Sequence, residues 1–224
     1  MRVLIPAKAL RAAKRRLAPC LTPEERAGLS LWMLDRVLCC CREAGLSETY
    51  LVGGDERTAD LGRRRGARLL PELGFGLNQT LERALAAVRG EEACLVVVAD
   101  LPLLRPEELV RLIRPWQERR TATLAPSRDG GTNALLLPPA CPFTPSFGPG
   151  SARRHRAQLV AAGFAVEEVC TPGLLHDVDR PEDLTVEVRS LGGFPIPRLL
   201  DVGSAVVESC WDVGNAAVRY PLGR

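Results

Sequence analysis

Lysine is almost missing from this chain of 224 residues. Of its 30 basic residues only Lys8 and Lys14 are lysines, and both stand in one stretch near the N-terminus. Histidine is as scarce, with His155 and His176 alone. There is no G-x-S-x-G elbow and no Walker G-x-x-x-x-G-K loop, so neither a nucleophilic triad nor a P-loop is present. The eight cysteines form no C-x-x-C pair: Cys39-Cys40-Cys41 adjoin one another, and Cys20, Cys94, Cys141, Cys170 and Cys210 are scattered. That spacing speaks against a zinc site or a redox pair and for reduced thiols packed as small hydrophobes. No apolar run approaches the length of a bilayer span. A formal charge of +3 makes no strong field for nucleic acid or membrane. Val3-Leu4-Ile5 is broken at once by Pro6, so no signal peptide is expected. The expectation is a soluble, cytoplasmic protein.

What the chain does have is an alternation of strand and helix signals. Leu95-Val96-Val97-Val98 runs without polar interruption through Ala99 to Asp100, and Pro102 stops it. Such a run reads as a strand covered on both faces, as in a parallel sheet. Arg2 to Ile5, Thr49 to Val52, Ala67 to Leu70, Thr121 to Ala125, Ala134 to Leu137 and Ala165 to Val169 read as further strands, the first ending at Pro6. Thr22-Pro23-Glu24-Glu25 opens a helix, with Thr at the N-cap, Pro at the first position and Glu three residues on. Its apolar face is Leu31, Leu34, Val37, Leu38 and Cys41, and it stops near Gly45. Other helices start near Asn78, a candidate N-cap, at Pro106, at Ser151 and at Pro181. Strands alternating with helices imply an α/β fold with a doubly wound, mostly parallel sheet. No linker divides residues 1–190, expected to be one domain. The pattern weakens from Gly192 and breaks at Pro195 and Pro197, leaving 191–224 as a C-terminal extension of unknown role.

Four features could carry chemistry. Ligands bind outside the carboxyl ends of strands in open parallel sheets, so Asp100 is either a ligand of substrate or metal or a residue that starts a turn. In Asp177-Val178-Asp179 the two carboxylates fall on one side of an extended chain. They either converge on a cation with Asp100 or cap the helix that follows. Three carboxylates make an oxygen site for Mg²⁺ or Mn²⁺ rather than zinc. The two lone lysines, compact point charges in an Arg-rich chain, hint at a phosphate site. Gly130-Gly131-Thr132-Asn133 and Phe147-Gly148-Pro149-Gly150-Ser151 are small-residue loops, the second feeding a helix N-terminus whose free N–H groups suit an anion. Arg153, Arg154 and His155 in the first turn of that helix oppose its dipole unless an anion is bound.

These pieces, in this order, resemble the guanylyltransferases of coenzyme F420 biosynthesis over about residues 1–189. The resemblance rests on Pro6-Ala7-Lys8 with Ala13-Lys14-Arg15-Arg16-Leu17, Gly76-Leu77-Asn78, Ala99-Asp100-Leu101-Pro102-Leu103, Gly130 to Leu135, Phe147 to Ser151 with His155, and Asp177-Val178-Asp179 with Pro181 to Leu184. It implies a nucleotide-diphospho-sugar transferase-like fold in which Lys8 and Lys14 replace the usual Gly-rich opening loop. It also implies transfer of GMP from GTP to phosphoenolpyruvate, with 2-phospho-L-lactate or 3-phosphoglycerate as alternative acceptors. Carried over by motif, Asp100, Asp177 and Asp179 hold Mg²⁺, and Asp100 and Lys14 are catalytic. Thr132, Gly148 and Ser151 bind the phosphorylated three-carbon acid, and Lys8, Lys14, Arg16 and Asn78 face GTP. The product passes to a downstream transferase acting on the deazaflavin precursor. The tail could cover the cleft or pair with a second subunit to form a homodimer. Another nucleotidyltransferase of this fold, such as a molybdopterin guanylyltransferase, is the alternative, disfavoured by the absent Gly-rich loop. The Arg-rich composition suggests a GC-rich genome and a lean toward the bacterial phosphoenolpyruvate branch.

Overall fold

The computed structural model describes residues 1–71, 76–88 and 90–199. Its strands are β1 (Arg2–Ala7), β2 (Glu48–Gly53), β3 (Arg68–Leu70), β4 (Cys94–Val97), β5 (Ala122–Pro126), β6 (Thr132–Leu137) and β7 (Val166–Glu168). They form one sheet in the order β3-β2-β1-β4-β6-β5-β7. β6 is antiparallel to β4 and β5, while the other recorded pairings are parallel. A short loop joins β5 to β6, and so tight a connection reverses the chain, whereas a helical crossover returns it parallel. The helices are α1 (Pro23–Glu43), α2 (Glu56–Arg64), α3 (Leu77–Val88), α4 (Pro106–Arg119), α5 (Ser151–Ala161), and the single turns α6 (Pro172–Leu175) and α7 (Val186–Arg189).

The apolar run in β4 divides by alternation, as a doubly covered strand must. Leu95 and Val97 enter the core under α1 and α4, beside Leu38, Leu109 and Leu112. Cys94 and Val96 enter the opposite core, beside Leu81 and Leu85 of α3 and Leu159 of α5. α1 starts as its sequence demands: Glu25 N–H donates to Thr22 Oγ1 and Thr22 N–H to the Glu25 carboxylate. Cys40, Cys41, Cys94 and Cys141 are buried and Cys170 is exposed, while Cys210 lies outside the described residues.

Four local expectations need correction. β1 does not end at Pro6 but keeps it paired with Val52 in register; β4 pairs with β1 only as far as Leu4, so no neighbour there requires the missing N–H. β4 stops at Val97, short of Asp100, and the chain beyond is held by two bonds: Val98 N–H to Asn133 O at 2.9 Å and Val178 N–H to Asp100 O at 3.1 Å. Asp100 therefore stands in the loop past the strand, not on its last residue. Asn78 is not an N-cap, because Thr80 N–H already reaches Gly76 O and the helix begins at Leu77. Finally, ordered packing does not fade at Gly192. Phe194, Ile196 and Leu199 join Leu29, Met33 and Val188 in a third apolar cluster, and Arg198 pairs with Glu25 at 2.6 Å. Residues 200–224, the rest of the expected extension, lie outside the described residues.

Candidate active site

Residues 8–17 wrap past the end of β1 in two 3-10 turns, and Lys14 between them adopts φ 48, ψ 42. A left-handed lysine is uncommon and holds only where the surroundings impose it. Here it turns a side chain that is 9% exposed inward to two carboxylates. Lys14 Nζ donates to Asp100 Oδ2 at 2.5 Å and to Asp179 Oδ1 at 2.9 Å. Burial by itself would push the Lys14 pKa down, but the two acids outweigh it and the net shift is upward. Arg16 lies 3.5 Å from Asp179 Oδ2, and Lys8 is exposed. The loop is tethered from β2's end: Leu10 N–H donates to Asp55 Oδ2 at 2.6 Å, while Asp55 Oδ1 caps α2 through Thr58 N–H.

On the acidic side, Val178 is fully buried between Asp177 and Asp179. Asp177 Oδ1 accepts from Asn133 Nδ2, which also donates to Leu174 O at 2.9 Å. Burial first, and then the charge of Asp100, push the Asp177 carboxyl up to about 6. For Asp179 burial acts upward too, yet Lys14, Arg16 and Lys8 bring it below the usual range. The capping alternative for Asp179 is excluded: the following turn is capped at Arg180, and Asp183 Oδ2 takes the N–H groups of both Asp179 and Arg180. The donor set of Asp100, Asp177 and Asp179 is all oxygen, and a hard cation there would favour the ionised form of Asp177, which burial and then the Asp100 charge disfavour. Among the described residues no three acidic, His or Cys groups already close into a cage. Lys14 supplies the cationic charge between Asp100 and Asp179 instead.

A second cluster lies one residue along β6. Thr132 Oγ1 is 2.9 Å from Ser151 Oγ and 3.0 Å from His155 Nδ1, all three residues being buried. Gly148 has φ 125, a conformation that glycine alone adopts freely, and its carbonyl accepts Ser151 N–H. Asn78, expected with the lysines on the nucleotide, belongs to this second cluster: it donates to Phe147 O at 3.2 Å and accepts Phe147 N–H at 2.7 Å. His155 adds no cation to the helix start, since burial and then Arg154 push it down to about 4. Asn133 and Asp55 act through hydrogen bonds to partners far along the chain, which no local pattern displays.

A cleft of about 440 Å³ opens between the N-terminal loop, α1 and the end of β4. Lys8, Arg11, Lys14, Asp100 and Asp179 supply its charge, and Leu34 and Leu77 are among its apolar walls. Thr132, Gly148, Ser151, Asn78, Arg16 and Asp177 stand outside its lining. Lysines and carboxylates at one mouth suit a polyphosphate and its cation. Among the described residues no helix is long and apolar enough to cross a membrane.

Solved structures share this architecture. A protein named as a nucleotide-diphospho-sugar transferase from Desulfovibrio desulfuricans superposes with TM-score 0.71 at 16% identity, covering 94% of this chain and 99% of that one. A nucleotidyl transferase from Methanothermobacter superposes with TM-score 0.53 at 16% identity, over 82% of this chain and 94% of that one. At such identities the likeness establishes the fold. Sequence relatives are closer. The phosphoenolpyruvate guanylyltransferase of Rubrobacter xylanophilus is 42% identical over 81% of this chain and 90% of its own. That of Sphaerobacter thermophilus is 40% identical over 81% and 89%. The family model described as guanylyl transferase CofC like matches residues 1–188. Every motif of the two clusters falls inside that span, and the chain belongs to the CofC-like guanylyl transferase family.

Proposed function

We propose that this protein transfers GMP from GTP to phosphoenolpyruvate, giving enolpyruvyl-diphospho-5′-guanosine and diphosphate for coenzyme F420 biosynthesis. The observation that carries the reading is the bridge of Lys14 to Asp100 and Asp179 at the mouth of the cleft. A cleft with that mouth, in a family of guanylyl transferases whose relatives are named for phosphoenolpyruvate, supports GTP as donor and this acid as acceptor. Thr132, Gly148 and Ser151 would receive the acid. 2-Phospho-L-lactate and 3-phosphoglycerate share its phosphate and carboxylate and are the competing acceptors. A cytoplasmic setting, and hand-over to a transferase acting on the deazaflavin precursor, follow from the reaction.

The chemistry needs no general base. An acceptor phosphate has its second pKa near about 6 and attacks the α-phosphorus of GTP as it stands. The task is to bring two anions into line and to stabilise the charge that builds on the leaving diphosphate. Lys14 and Lys8 screen the phosphates, and the α5 start with its hydroxyls orients the acid. Asp100, Asp177 and Asp179 would hold Mg²⁺, which when bound neutralises phosphate charge. The test is incubation with GTP, Mg²⁺ and each acid separately, with the product trapped by the downstream transferase. Diphosphate release with phosphoenolpyruvate exceeding that with the other acids is expected. Release with none of the three would overturn the reading.

A further inference from the structure

His155 is buried, and both of its ring nitrogens are engaged. Ser146 N–H donates to Nε2 at 3.1 Å, and a backbone amide can only donate, so Nε2 carries no proton. The proton of the neutral ring is then on Nδ1, which donates to Thr132 Oγ1 at 3.0 Å. Phe143 and Phe147 hold the ring, with centroids at 5.1 and 4.7 Å. Burial keeps the imidazole neutral at physiological pH, its pKa being pushed down to about 4.

Proton counting along this chain has a directional result. Thr132 and Ser151 each bring one O–H, and the 2.9 Å contact between them uses one of the two. Because Nδ1–H already fills a lone pair on Thr132, neither hydroxyl can discharge its proton into the ring. One O–H is therefore left over at the start of α5, where the Ser151 and Ala152 N–H groups are already taken by Gly148 O and Gly130 O. No carboxylate takes part in these bonds. Ser146 Oγ, next to the amide that locks Nε2, is buried with no partner among the described residues, a further hydroxyl in want of an acceptor.

We propose that His155 is the positioning residue of the acceptor site: by locking its Nδ1–H onto Thr132 it obliges the Thr132–Ser151 pair to present a hydroxyl donor to an acceptor-only ligand oxygen of phosphate or carboxylate. The inference rests on the placement of the three-carbon acid at Thr132, Gly148 and Ser151, and it adds a residue that never touches the substrate. It also makes the site selective against any ligand atom that must itself donate there.

The test uses the whole protein with His155→Phe, which keeps the aromatic packing and removes both bonds, and His155→Asn, whose amide can restore a donor near Nδ1. His155→Phe is expected to raise KM for the acid about tenfold, the worth of one oriented hydrogen bond to an anion, with kcat and the KM for GTP within about twofold. His155→Asn is expected to recover most of the loss, and ¹⁵N spectra of the wild-type imidazole to show the proton on Nδ1. An unchanged acid KM in His155→Phe, equal losses for acid and GTP, or a proton on Nε2 would overturn the proposal. Binding of inorganic phosphate separates the two readings. If no acid is turned over while phosphate binding still falls about tenfold in His155→Phe, the acceptor assignment fails and the positioning role stands. If phosphate binding is also unchanged, both fall.

Discussion

Lys14 and Asp179 are 165 positions apart in the chain and 2.9 Å apart in the fold. The ammonium that joins them also holds Asp100. One lysine thus ties the N-terminal loop to the loop beyond β4 and to the segment after α6. Its charge is shared between the two carboxylates.

Lys14→Met should lower diphosphate release by about 10²–10³-fold, the usual scale for removing a charge that acts on a transferring phosphoryl group. Lys14→Arg should recover little of it, because a planar fork does not fit between two carboxylates that now receive one point charge. Release kinetics with GTP and acid measure both, and a Lys14→Met enzyme within about threefold of wild type would refute the role.

Asp100→Asn keeps shape and removes charge. Diphosphate release should drop by about 10²-fold or more, with the melting temperature little changed, since Asp100 is partly exposed and its backbone O still accepts Val178 N–H. A near-wild-type rate would remove Asp100 from the metal set.

Asp55 has two duties that mutation can separate. Asp55→Ala removes the α2 cap and the tether to Leu10 N–H, so stability should fall by about 1–2 kcal/mol and GTP affinity should fall as well. Thr58→Ala removes the return half of the capping box and the Thr58 Oγ1 bond to Asp55 O, and leaves the tether to Leu10 N–H in place. Thr58 itself lines the cleft, so this variant should lower GTP affinity less than Asp55→Ala does. Denaturant titration and nucleotide calorimetry on both variants check the split.

The pH dependence follows from His155. Its folded pKa of about 4 lies below the ordinary value, so the unfolded chain binds more protons between roughly pH 6.5 and 4. Stability should be full above pH 6.5 and fall as pH drops through that window, by about 2–3 kcal/mol. His155→Phe should flatten this part of the profile. An equal slope in wild type and variant would assign the loss to other groups.

Arg198 and Glu25 clamp residues 191–199 to the start of α1. The hydrogen bonds from Arg198 hold the Glu25 carboxyl down to about 2. The folded state therefore binds fewer protons than the unfolded one as pH falls below about 4.3, and the stabilisation is lost in that range. The pair is largely solvated, so Arg198→Gln should cost about 1 kcal/mol or less at pH 7, and nothing near pH 2. Urea midpoints at the two pH values measure it.

The doubly wound sheet was legible because β4 is apolar at every position and the helices announce their starts, as Thr22 to Glu25 do. The acidic pair was legible as well, since Asp177 and Asp179 lie on one side of an extended segment whatever surrounds it. Asn78 was not: an Asn beside a helix start reads as a cap, and only Phe147 docking against it shows that both ends of its amide are spent on that backbone. Residues 191–199 misled for a related reason. Pro195 and Pro197 look like a break, yet the residues around them, Phe194, Ile196 and Leu199, reach the α1 flank.

What this chain determines by itself is therefore periodic or local: the strand and helix alternation, the helix caps, and which residue types sit in each loop. These depend on neighbours a few positions away, and backbone sterics and apolar patterning express them directly. The tertiary structure alone decided what each charged or polar group faces. It set Lys14 between two acids, turned Asp179 from cap to ion-pair partner, spent Asn78 on a loop and locked the proton of His155. Those outcomes depend on electrostatics and hydrogen bonds that act over a few ångströms, between residues brought together only after the chain has folded.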